Sequence, residues 1–186
     1  GAEDVHPLVA KLIKIKELAT AAGKTDDILW YKDGATPEEI EKLVEAVKPV
    51  KVPDDVKALL SHANGVHIFD LWIPSVEDMI EQWGYNFAFA PVYGNQKALP
   101  WGMVDYDFCW RIMQTTPKAE LGVIWTVDCE CGTVREHGTL SGQLGSLLRS
   151  LERKDEKPST RSGGTLMNHG KGYRVWTAVT RRQRAG

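Results

Sequence analysis

No apolar run in the sequence approaches the roughly 20 residues that a membrane-spanning helix needs, so none is predicted. Cysteine is scarce. Three residues, an odd number, do not make a disulfide framework. The N-terminus lacks the basic-then-apolar pattern of a secretory signal, and together these absences predict a reducing, cytoplasmic setting. Phosphate-cradling loops are missing too. The glycine-containing stretches RSGGT and NHGKG have no preceding strand and following helix to form one. There is no internal repeat. What remains is 186 residues, 42% apolar and 26% charged, which suits one soluble globular domain with a sizeable core.

Charge is distributed unevenly. Residues 153–186 carry nine Lys or Arg and two acids, a surplus of seven positive charges. The preceding 152 residues carry 14 basic and 23 acidic side chains, a net charge of −9. An acidic body repels nucleic acid and attracts a basic protein. The basic tail suits phosphates, an acidic partner or the body itself.

Helical punctuation is clear along the first half. Leu8, Leu12, Ile15 and Leu18 mark a helix over about residues 6–22, stopped by Gly23. Thr36, Pro37 and Glu39 form a capping-box signature, followed by Ile40, Leu43, Val44 and Val47 on one face. Pro53, Asp54 and Asp55 open a third helix with the stripe Val56, Leu59, Leu60 and Ala63, and Asn64-Gly65 closes it. Between the first two helices, KTDDILWYKDGA reads as a polar connector anchored by Leu29, Trp30 and Tyr31.

VHIFDLWIP reads as the first strand, with Phe69, Leu71 and Ile73 on an apolar face and His67, Asp70 and Trp72 on a mixed one. SVEDMIEQWG is a short helix capped by Ser75, and residues 84–106 read as irregular. DFCWRIM and GVIWTVD alternate as strands, and ECGTVREHG pairs with the latter through a turn at Cys129–Gly132. LSGQLGSLLRSLE is a closing helix capped by Ser141, KDEKPSTRSGGT a linker, and GYRVWTAVT a further strand. The order predicts an α+β fold. A single domain would hold a mainly antiparallel curled sheet, flanked by N-terminal helices and a closing C-terminal helix. Its divisions are an N-terminal helix and connector over 1–34, the main domain over 35–152 and a basic tail over 153–186.

The run ATPEEIEKLVEAV, then VPDDVKALLSHANGV, a strand, and SVEDMIEQW resembles the SUKH superfamily, which includes fungal cell-wall-synthesis regulators and bacterial immunity proteins. Pro53, Leu59, Leu60, Asn64, Gly65 and Trp83 match that family's signature, and the likeness spans about residues 35–152. It implies a noncatalytic α+β domain that binds a protein partner. In the bacterial relatives that partner is a toxin domain, often a nuclease. In the fungal ones the role is a regulatory scaffold in cell-wall synthesis or signalling.

Other chemistries have thinner support. Cys109, Cys129, Cys131 and His137 offer three thiols and an imidazole to zinc, but only one closely spaced Cys pair exists. Cys109 with His62, His67 or His137 could serve a thiol-dependent enzyme, without a local motif. Asp105/Asp107 and Asp128/Glu130 resemble acid–base pairs but suit solvated strand ends and turns. NHGKGYRVW interleaves basic and aromatic residues, as a base-stacking segment would, yet reads better as an edge strand. No catalytic residue, metal or cofactor is therefore assigned. The expected partner-binding surface comprises Asp70 and Trp72, with Asp105, Asp107, Asp128 and Glu130 bordering it. The predicted function is an immunity-type protein that neutralises a cognate, basic toxin domain.

Overall fold

The structure, a computed structural model, describes residues 4–88, 98–104, 109–114, 123–128 and 134–161. Helix α1 runs Pro7–Ala21. The His6 ring accepts a hydrogen bond from the Leu8 amide at 3.2 Å, and Pro7 fits the first helical position. At the other end Gly23 has φ +71°, the Gly23 amide bonds Thr20 O and the Lys24 amide bonds Ala19 O. That paired closure is the glycine stop expected from the sequence. Leu12 and Ile15 on its inner face are fully buried.

Helix α2, Pro37–Ala46, begins with the expected capping box. The Thr36 amide donates to Glu39 Oε2 at 2.7 Å, and the Glu39 amide donates to Thr36 Oγ1 at 3.2 Å. Helix α3, Asp54–His62, buries Val56, Leu59 and Leu60, and Ala63 just beyond it is also buried. Gly65, at φ +103°, turns the chain out of it. The Asn64 side chain then starts the next helix. Its Oδ1 accepts from the Val76 amide at 2.8 Å and its Nδ2 donates to Glu77 at 3.3 Å. Together with the reciprocal Ser75–Asp78 bonds, this caps α4, Val76–Ala88. The closing helix α5 spans Leu140–Glu152. Its cap is Thr139, whose Oγ1 accepts from the Gly142 amide at 3.0 Å, rather than Ser141.

Three expectations about strands are corrected. ILWY is not a mere connector but strand β1, Ile28–Tyr31. VHIFDLWIP is not one strand but a hairpin, β2 (Val66–Ile68) and β3 (Leu71–Ile73), turned by Phe69 and Asp70. Phe69 adopts φ +52°, so an aromatic residue takes the turn position that glycine or asparagine usually signals. Residues 98–104, expected to be irregular, form β4, and its register shifts between Pro100 and Gly102. A bulge there lets a strand carry both residues.

Strands β5 (Cys109–Gln114), β6 (Val123–Asp128) and β7 (Val134–Thr139) follow. The described residues thus form two antiparallel sheets, ordered β1-β2-β3 and β4-β5-β6-β7, instead of one. The fold is α+β in a single unit. Helix α5 packs on α1 and touches both β3 and β7, while α4 packs on β4 and α2. One core runs through the whole, from Leu12 and Leu43 to Trp101, Ile124 and Leu147. The Cys129–Gly132 turn and the GYRVWTAVT segment lie outside the described residues.

The stretch after α5 is tied back to the body. Ser150 Oγ donates to Asp155 at 2.8 Å, and Arg153 pairs with the same carboxylate at 2.8 Å. Lys24 Nζ reaches the carbonyl oxygens of Asp155 and Glu156 at 3.3 and 2.7 Å. Those contacts span about 130 residues of chain and fix where the tail departs.

Candidate functional site: an aromatic row on the small sheet

The three-stranded sheet separates its side chains by parity. Val66, Ile68, Leu71 and Ile73 are fully buried against the helices. The alternation of a pleated strand therefore turns His67 and Trp72 to the opposite face. The pairing register places Trp30 opposite His67 and His67 opposite Trp72, so the three rings form one row across β1, β2 and β3. Trp30 meets the His67 ring edge-on, with centroids 4.6 Å apart. His67 and Trp72 lie nearly parallel, 6.4 Å apart. Trp30 is 38% exposed and its neighbour Leu29 is 59% exposed, the largest exposures among the described big apolar side chains apart from Val5. The indole N–H of Trp72 has no hydrogen-bond acceptor among the described residues.

One end of this face is acidic. Asp26 and Asp27 lie in a 3-10 turn before β1, and the Phe69 amide bonds Asp27 O at 3.0 Å, which brings the hairpin tip with Asp70 beside them. Asp70 is engaged within the chain. Its carboxylate accepts from Ser159 Oγ at 2.9 Å, the Thr160 amide at 2.8 Å and Thr160 Oγ1 at 2.9 Å.

Of the six residues expected to form the binding surface, Asp70 and Trp72 share the small sheet. Asp128 ends β6 in the other sheet, paired with Cys109. Asp105, Asp107 and Glu130 lie outside the described residues. The described structure therefore brings together two of the six. It adds Trp30 and Leu29, which the sequence alone predicts as a local anchor of the connector. The cue was present: four consecutive apolar and aromatic residues, three of them β-favouring, between polar turns.

A second feature lies on the opposite side of β1. An open groove of about 650 Å³ is lined by Ile13, Lys16, Glu17 and Thr20 of α1, with Tyr31 and His62. The Tyr31 hydroxyl hydrogen-bonds His62 Nε2, and Lys16 Nζ lies 4.2 Å from the Tyr31 ring centroid. Burial pushes the Tyr31 phenol up to about 12. Burial, and secondarily the Lys16 charge, hold the His62 imidazole below its ordinary range. Both groups are then neutral near pH 7, an arrangement in which the phenol donates and the imidazole accepts. The pair joins β1 to the end of α3 and so steadies the edge strand that carries Trp30.

Among the described residues no group of three or more His, Cys, Asp or Glu is placed to hold a metal. No described helix is long and apolar enough to cross a membrane. His62 is engaged with Tyr31 and His67 with the two tryptophans. No protein-family model matches the chain, and no curated protein does.

Proposed function

We propose that this chain is a noncatalytic protein-binding domain of the SUKH type, acting in the cytoplasm as an immunity protein that occludes a basic toxin domain. The observation that supports it best is the outward row Trp30–His67–Trp72 beside Asp26 and Asp27. Tryptophans set in a rigid sheet offer large contact area at little entropic cost, and they are the side chains on which binding energy concentrates. The acidic rim and the −9 charge of residues 1–152 steer a basic surface toward the face. Neutralisation then needs only steric coverage of the toxin's active surface.

Calorimetric titration with a basic toxin domain encoded beside this protein tests the reading. A one-to-one complex is expected. Removing a central tryptophan at a hot spot costs about 2 kcal/mol or more, so Trp30→Ala should weaken binding roughly thirtyfold. Wild-type affinity in both Trp30→Ala and Trp72→Ala would place the interface elsewhere.

A further inference from the structure

The geometry points to a second occupant of the aromatic face, the chain's own segment 173–179, which competes with the external partner for it. The inference rests on the reading of that face as a protein-binding surface.

Three observations carry it. First, Asp70 holds Ser159 and Thr160 at the tip of the β2–β3 hairpin, at the edge of the face, through three hydrogen bonds of 2.8–2.9 Å. The chain is thus delivered to the site from 89 residues downstream, and the last described residue, Arg161, is exposed there. Second, residues 162–186 carry five Lys or Arg and no acid, so their charge complements Asp26, Asp27 and the acidic body. Third, the sequence YRVWTAV combines Tyr173, Arg174 and Trp176, side chains that stack on exposed indoles and pair with carboxylates.

Distance permits the contact. Tyr173 lies twelve residues beyond Arg161, a stretch that reaches at most about 40 Å. Three adjacent strands are only about 10 Å across. Tethering at this length gives an effective concentration of about 1 mM. A segment affinity as weak as about 0.5 mM would then leave the face open about one third of the time, a roughly threefold handicap for any external partner. The clamp at Asp70 sets that handicap, because opening it lengthens the tether.

Hydroxyl-radical footprinting of the full chain, read by peptide mass spectrometry at Trp30, tests the inference. Trp30 should oxidise about threefold faster in Tyr173→Ser/Trp176→Ser than in the wild type, with an unchanged circular dichroism spectrum. Asp70→Ala should raise the rate in the same direction. Equal Trp30 rates in the wild type and the double variant would overturn the inference. So would protection that disappears on dilution, because a second copy would then be covering the face. No partner enters this experiment, so its outcome is independent of the calorimetric titration.

Discussion

Gly34→Ala is a severe test of how β1, and with it Trp30, is fixed to the helices. A Cβ placed on Gly34 would lie 1.9 Å from the Ser61 carbonyl oxygen, 2.8 Å from its carbon and 3.2 Å from His62 O. Ordinary contact begins at 3.4 Å, so the two backbones must separate by about 1.5 Å. Both neighbours of Gly34 are hydrogen-bonded across this junction. The Ala35 amide bonds Leu60 O at 2.8 Å, and Asp33 O accepts from the Asn64 amide at 3.0 Å. Losing two such bonds, with buried groups left unsatisfied, costs about 2–5 kcal/mol in total. For a chain of this size that is a melting temperature lower by about 5–20 °C.

The control is Gly23→Ala. Gly23 has φ +71° with nothing within 4 Å, so only left-handed strain of about 1 kcal/mol is added. Differential scanning calorimetry of the two variants separates steric closure from backbone strain. If Gly34→Ala melts no lower than Gly23→Ala, the close approach of the β1–α2 connector to α3 is wrong.

Three further outcomes are expected. Thr36→Ala removes one half of a capping box and should cost about 1 kcal/mol by urea unfolding, with no change in the slope against denaturant. His62 is held below its unfolded value of about 6.5 by burial and Lys16, so between those two pH values the unfolded chain binds the extra proton. Stability should therefore fall as pH drops through about 6.5. His62→Gln should reduce that loss, and an identical pH profile would contradict the assignment. Asp70→Ala deletes all three acceptor contacts to Ser159 and Thr160 and should accelerate amide exchange over residues 155–160, leaving α2 and α3 unaffected.

What was legible in the sequence follows from how local its physical cause is. The Thr36–Glu39 box, the Gly23 stop and the Val56–Ala63 stripe depend on residues within one or two turns of each other, and each forms as expected. The α+β class followed from the order of such elements. The hairpin at Phe69–Asp70 was missed because Phe69, the residue at positive φ, carries no turn signature and Asp70 has no glycine or asparagine beside it. Its positive φ is imposed by the pairing of Val66 with Ile73 and by burial on both sides of the turn. Strand β1 was missed because four residues are too few to show a period, and its partner is nearly forty positions away.

Strand β4 was hidden by Pro100 and Gly102, which a bulge accommodates. Of the candidate surface, Trp72 was correctly turned away from the apolar face by alternation. The sequence assigns Asp70 to a partner-binding surface, and nothing local reveals its bond to Thr160, ninety residues on. Trp30 joins the row only through the cross-strand register, which no single stretch of sequence contains.

Hydrogen exchange of the intact chain, with and without a bound basic toxin domain, probes the central claim most directly. The account predicts that partner-induced protection concentrates in residues 28–31 and 66–73, the strands that carry Trp30, His67 and Trp72. Protection confined to the α1 groove or to the four-stranded sheet, with those two stretches unchanged, would contradict it.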